Sequence, residues 1–169
     1  MDVVVVGAGP VGLLLAAELR LAGARPVVLD ARAQRGEIPK ANGLGGLIVQ
    51  VLDQRGLLAR FAAQSAFCGP VPAFPLGPVP LRFADLAESP LHVVAIPQPR
   101  MEQVLEERAG ELGVEIRRGH RVVGLDQHAD GVDLRVHGPG GELWLRAAYV
   151  VGCDGAHSAV RELAGIGFP

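Results

Sequence analysis

Two short segments of the sequence combine residue types that can do chemistry. The first, Gly7-Ala8-Gly9-Pro10-Val11-Gly12, is a G-x-G-x-x-G run. Its glycines have separate physical roles. Gly7 permits a tight turn from strand to helix, Gly9 lets a pyrophosphate approach the backbone, and Gly12 allows close packing of helix on strand. Free N–H groups at the start of the following helix, and the positive end of its dipole, would face the phosphates. Asp30 lies 18 residues beyond Gly12, at the end of the next apolar run, where a carboxylate accepts hydrogen bonds from a ribose diol. The same charge would repel a 2′-phosphate, which disfavours NADP in this pocket. Turn glycines without a ligand are the alternative reading. The second segment is Cys153-Asp154-Gly155-Ala156-His157-Ser158-Ala159-Val160-Arg161. An Asp at the carboxyl end of a strand sits where open α/β sheets bind ligands. Ser158 as a plain helix cap is the other account of this segment.

The elements that must position these residues are legible from pattern. Residues 2–6 (Asp-Val-Val-Val-Val) form the continuous β-branched run of a strand buried on both faces of a parallel sheet. Residues 10–22 predict a helix, with Pro10 suited to its first turn and Gly23 to its end. Pro26 to Asp30 is a second short strand, and strand, helix, strand at this spacing is a right-handed βαβ unit. Residues 31–46 read as a loop, followed by helices over 46–54 and 57–64 broken at Gly56. Five prolines between Cys68 and Arg82 exclude a central strand or a helix there.

His92 to Ile96 predicts a strand. The spacing of Met101, Val104, Leu105, Ala109 and Leu112 predicts an amphipathic helix over 97–112. After a short strand at 114–117, three alternating segments (121–126, 132–137, 142–147) separated by glycine turns predict an antiparallel meander. Residues 148–153 read as a buried strand and 158–164 as a helix. The expected fold class is α/β: a Rossmann-like domain with a parallel sheet and a three-stranded meander covering one side.

Composition bounds the partners. The 169 residues are 49% hydrophobic and 20% charged, with a net charge of −2, so neither disorder nor a basic nucleic-acid footprint is expected. Cys68 and Cys153 are too few for a disulfide framework and make no C-x-x-C. The amino terminus is unlike a signal peptide, and charges interrupt every apolar stretch, so a soluble cytoplasmic protein without membrane contact is expected. Of the basic residues only Lys40 is lysine. The scattered His92, His120, His128 and His137 lack ligand spacing, and no metal site or catalytic set is expected. Glu102-Glu106-Glu107-Arg108 reads as a solvated helix face.

Val-Val-Gly-Ala-Gly-Pro-Val-Gly-Leu-Leu-Leu-Ala-Ala-Glu-Leu near the start and Val-Val-Gly-Cys-Asp-Gly-Ala-His-Ser-Ala-Val-Arg near the end resemble the class A flavoprotein aromatic monooxygenases. These are the relatives of p-hydroxybenzoate hydroxylase, and the resemblance is strongest to the branch acting on phenols and aromatic polyketides. It implies FAD as cofactor, NAD(P)H as co-substrate and a small aromatic substrate hydroxylated through a flavin C4a-hydroperoxide. Gly7, Gly9, Pro10, Val11 and Gly12, with Asp30, Ala31 and Arg32, would hold the ADP half of FAD. Lys40 stands where relatives carry an Arg to the pyrophosphate. Gln98 matches a glutamine on the ribityl chain, and Asp154 and Gly155, supported by Arg161, match a motif handling FAD and NAD(P)H. Leu47-Ile48 replace an Arg-Thr pair.

The resemblance also implies a second Gly-Asp motif and a substrate domain, which residues 1–169 do not contain. Residues 1–169 are therefore expected to be one incomplete FAD-binding domain, inactive by itself. An epoxidase, an isoprenoid reductase, a non-catalytic FAD-binding subunit and a plain NAD-binding dehydrogenase domain are the alternatives. Oligomeric state is not encoded legibly.

Overall fold

The computed structural model describes residues 1–168, with Leu76 described by its backbone alone. In chain order the elements begin β1 (Val3–Val6), α1 (Pro10–Leu21), β2 (Pro26–Asp30), β3 (Leu44–Gly45), α2 (Leu47–Gln54) and α3 (Leu58–Ala63). There follow β4 (Phe67–Pro70), β5 (Ala73–Leu76), β6 (Val79–Arg82), β7 (His92–Ala95), α4 (Gln98–Glu111) and β8 (Glu115–Arg118). The last are β9 (Arg121–His128), β10 (Gly131–Gly138), β11 (Gly141–Ala147), β12 (Tyr149–Gly152) and α5 (Ala159–Leu163). Two compact units result: Met1–Glu37 with the chain from Leu105 onward, and Ile38–Val104.

The first unit is built on a four-stranded sheet in the order β12-β1-β2-β8, with every neighbouring pair parallel. The β1 valines sit centrally, opposite Pro26–Leu29 on one side and Tyr149–Gly152 on the other, and all four are buried. β-Branched side chains on both faces of a central strand account for that position. The meander β11-β10-β9 packs on one face of this sheet. Val4, Val6, Val27 and Leu29 of the sheet join Val122, Leu134, Val136 and Ala147 of the meander in one core. α1 ends where Gly23, at φ +88°, donates to the Arg20 carbonyl at 3.1 Å.

β12 differs from the buried strand expected over 148–153. Tyr149 is 70% exposed and Val150 and Val151 are half-buried, because β12 is the sheet edge and has a strand on one side only.

The second unit holds the small sheet β3-β7-β4, the hairpin β5-β6, and α2 and α3. Strands do form in the proline-rich segment, but none is central: β4 is an edge, and β5 and β6 pair only with each other. Proline lacks the N–H a central strand must donate, so this placement follows from the chemistry that excluded a central strand. Gly56, at φ +67°, breaks α2 from α3.

Candidate functional site

The G-x-G-x-x-G run forms the turn between β1 and α1, and the three glycines meet different surroundings. A Cβ on Gly12 would collide with the Gly7 carbonyl oxygen, so close helix–strand packing requires glycine there. A Cβ on Gly7 would collide with the Cys153 carbonyl oxygen and come within 2.9 Å of the Asp154 nitrogen. Gly7 also sits at φ +110°, in the region that side chains rarely adopt. A Cβ on Gly9 would meet no atom within 4 Å beyond its immediate chain neighbours. Its φ of −83° and ψ of −178° are open to any residue. Packing and backbone strain explain Gly7 and Gly12. Neither explains Gly9.

Gly9 is the N-cap of α1, and no side chain caps that end. Pro10 has no N–H, and Leu13 N–H already reaches the Gly9 carbonyl at 3.0 Å. The N–H groups of Val11 and Gly12 lie in the first turn, where the helix offers no acceptor. Val11 is 69% exposed, so this end of the helix is open to a ligand.

Asp30 ends β2 with 4% exposure, beside this turn. Its Oδ2 accepts from the Ala8 N–H at 2.8 Å, and its Oδ1 accepts from the Arg32 N–H at 2.8 Å. Arg32 adds Nε to Oδ1 at 3.2 Å and Nη2 to Oδ2 at 3.3 Å. Burial pushes the Asp30 carboxyl up. The Arg32 side chain and the two backbone N–H donors outweigh that and hold it below the usual carboxylate range. It is therefore a charged acceptor tied directly to the glycine turn.

The Asp-Gly segment follows β12, whose register against β1 brings Cys153 N–H to the Val6 carbonyl at 2.7 Å. Asp154 Oδ1 accepts from Ser158 Oγ at 2.5 Å, while Oδ2 accepts from the N–H groups of Ala159 at 2.7 Å and Val160 at 3.3 Å. Ser158 Oγ accepts from Arg161 N–H at 3.0 Å and caps α5. Arg161 Nη1 donates to the Ala156 carbonyl at 2.8 Å, and its guanidinium lies 4.8 Å from the Phe168 ring centroid. The carboxylate thus organises its own loop, and through Cys153 that loop supports Gly7. Burial and the neighbouring Asp154 charge push the Cys153 thiol up, so it carries no thiolate character.

Lys40 and Gln98 lie in the second unit, where Gln98 N–H donates to the Ala41 carbonyl at 3.0 Å and so ties the Lys40 loop to the start of α4. Lys40 is exposed and Gln98 half-buried.

The charged stretch of α4 is not the solvated face its composition suggests. Glu102 is 2% exposed and accepts from Gln98 Nε2 at 2.8 Å. Glu106 accepts from Arg118 at 2.9 and 3.1 Å and from Arg35 at 3.0 Å. The four-residue spacing of Gln98 and Glu102 on one helix face was the available signal for their pair. Of the histidines, His128 bonds Asp133 and His137 bonds Glu142, each at 3.0 Å, and His120 Nδ1 lies 2.8 Å from the Arg118 carbonyl. Among the described residues no group of three or more His, Cys, Asp or Glu is placed to hold a metal, and no helix is long and apolar enough to cross a membrane.

Comparison with known families places the whole chain: the FAD binding domain family matches residues 1–169. The chain belongs to that family. The FAD-binding domain is 48% identical over 99% of its length to a 12-dehydrotetracycline 5-monooxygenase/anhydrotetracycline 6-monooxygenase of Streptomyces rimosus, covering 33% of that protein. It is 45% identical over 99% of its length to a rifampicin monooxygenase of Streptomyces venezuelae, covering 34% of it. A dialkyldecalin synthase of Streptomyces rugosporus shares 39% identity over 99% of this chain and 35% of its own length.

Among solved structures, the anhydrotetracycline hydroxylase OxyS of Streptomyces rimosus superposes with a TM-score of 0.90 at 47% identity, covering 99% of this chain and 34% of that one. The expected α/β fold and the expected kinship with aromatic polyketide monooxygenases both stand. This chain spans about a third of the length of the relatives it matches.

FAD fits the residues present. No side chain caps the start of α1, and its first-turn N–H groups have no acceptor within the helix, so an anionic group such as a pyrophosphate can approach the backbone at Gly9.

Proposed function

We propose that this FAD-binding domain is the cofactor-holding part of an NAD(P)H-using monooxygenase that hydroxylates an electron-rich aromatic ring of the phenol or polyketide class. The observation that carries the reading is the cradle at Gly9: an open approach to a helix start that no side chain caps, with the charged Asp30 carboxylate bonded to the neighbouring Ala8 N–H. When bound, FAD supplies the capacity to take reducing equivalents from NAD(P)H and to activate dioxygen. The protein's own residues bind and orient. Gly9, Pro10, Val11 and Gly12 receive the pyrophosphate, and Asp30, flanked by Ala31 and Arg32, receives the adenosine ribose. Lys40 contributes a positive charge to the phosphates, although as a point charge without the fork an Arg would offer. Gln98 contacts the ribityl chain. Asp154, Gly155 and Arg161 hold the loop that buttresses Gly7.

Both compact units belong, in this reading, to one FAD-binding domain that is part of a longer enzyme. That enzyme works in the cytoplasm on a small aromatic molecule, without nucleic acid or membrane as partner. The dialkyldecalin synthase among the relatives favours a second reading, a flavoprotein of this family whose remaining portion directs a reaction other than hydroxylation. Titration of the chain with FAD, followed by quenching of flavin fluorescence with NAD in parallel, tests the binding step. Saturable FAD binding is expected. Clear NAD binding without FAD binding would overturn the proposal.

A further inference from the structure

Glu102 is a carboxylate with 2% exposure on α4, and its Oε2 is buried with no hydrogen-bond partner. An unpaired buried polar atom is costly, so its retention calls for a reason. Among the described residues, the carboxylate's hydrogen-bond partner is Gln98, whose Nε2 donates to Oε1 at 2.8 Å. A carboxylate only accepts, whereas a glutamine amide can present either its N–H₂ or its carbonyl. The amide torsion is otherwise broad and close to two-fold, so a free Gln98 would offer donor and acceptor almost indifferently. The Glu102 bond removes that freedom. It holds the amide nitrogen toward the carboxylate and turns Gln98 Oε1 the other way.

Resting on the FAD reading above, we propose that Glu102 is a positioning residue that locks the Gln98 amide so that its carbonyl oxygen accepts from a hydroxyl of the flavin's sugar-alcohol chain. Glu102 does not touch the ligand. The side chain at 102 selects which end of the Gln98 amide the cofactor meets, and so discriminates in favour of a hydroxyl-bearing linker. The Gln98 main chain is already fixed by its N–H bond to the Ala41 carbonyl at 3.0 Å, which leaves the amide rotation as the freedom to be removed.

The test is a double-mutant cycle in the full protein, reading dissociation constants for FAD and, separately, for ADP. Glu102→Leu is expected to weaken FAD by about 5- to 30-fold and to leave ADP affinity unchanged, because ADP lacks the sugar-alcohol chain. Glu102→Gln, whose amide oxygen can still accept from Gln98, is expected to recover most of the loss. In a Gln98→Leu background, Glu102→Leu is expected to have no further effect on FAD.

Additive losses in that background, or equal losses for Glu102→Leu and Glu102→Gln, would make Glu102 a structural residue and overturn the proposal. So would unchanged FAD affinity in Glu102→Leu. Failure of the unaltered protein to bind FAD would instead overturn the flavin reading beneath it. Should Glu102→Leu not fold, the side-chain amide resonance of Gln98 gives a second readout in the cofactor-free protein. One of its protons is expected downfield and protected from exchange, and an ordinary, unprotected pair would overturn the lock.

Discussion

Replacing Asp30 by Ala separates the two tasks assigned to its carboxylate. Its Oδ2 is the acceptor for the Ala8 N–H at 2.8 Å, and Ala8 has no exposure, so truncation leaves a buried donor without a partner. That costs about 1–3 kcal/mol. The Arg32 guanidinium is 46% exposed on its side of the pair and rehydrates on loss of the carboxylate, which adds at most about 1 kcal/mol. Removing a buried charge returns part of its desolvation cost, and the net loss is about 1–3 kcal/mol. For a chain of this length that corresponds to a melting temperature lower by roughly 3–10 °C.

Loss of a charged acceptor for the ribose adds about 1.5–3 kcal/mol at the binding step, a roughly 10- to 100-fold weaker FAD complex. Asp30→Asn keeps an oxygen for Ala8 and is expected to restore most of the stability while recovering little of the affinity. Thermal unfolding by circular dichroism and flavin-fluorescence titration read the two effects. A variant that melts with the unaltered protein and binds FAD as tightly would refute the assignment of Asp30 on both counts.

The remaining predictions concern the supports of the turn. Gly12→Ala drives a Cβ into the Gly7 carbonyl oxygen and is expected to destabilise the fold by about 3 kcal/mol or more, seen as a lower urea midpoint. Ser158→Ala removes the cap of α5 and is expected to cost about 1 kcal/mol by the same assay, with FAD affinity reduced less than by Asp30→Ala. The Arg25 side chain, bonded to Asp2 at 2.7 Å, lowers the Asp2 carboxyl to about 2. A lowered folded-state value contributes stability above the unfolded value of about 3.9 that is lost as pH falls toward 2. In a carboxyl NMR titration Arg25→Ala is expected to return Asp2 toward 3.9, and raised salt to move it partway.

What the sequence made legible was whatever depends on neighbours in the chain. β1 and β2, the glycine turn and the meander follow from runs, alternation and turn residues within a few positions, and each stands where that pattern puts it. What stayed hidden depends on distant partners. The collision that makes Gly7 obligatory is with Cys153 at the other end of the chain, and no local pattern carries it. Glu102 reads as solvated because it sits among charges, yet its burial is decided by tertiary packing. The exposure of Tyr149 likewise follows from the edge position of β12. The β4, β5 and β6 strands were masked by prolines that edges tolerate and centres do not. Asp154 was legible as a residue of importance, but its bonds to Ser158, Ala159 and Val160 emerge only from the folded loop.

The central claim is that the opening at Gly9 exists for a pyrophosphate and for nothing in the protein itself. Gly9→Ala tests it most directly, because the added Cβ meets no protein atom within 4 Å beyond its immediate chain neighbours and the backbone there accepts alanine. The account predicts a melting temperature unchanged or slightly raised, since alanine at a compatible position stabilises by about 0.4–1 kcal/mol. It also predicts FAD affinity lower by at least about tenfold, equivalent to about 1.4 kcal/mol. An unchanged melting temperature with unchanged FAD affinity would contradict it.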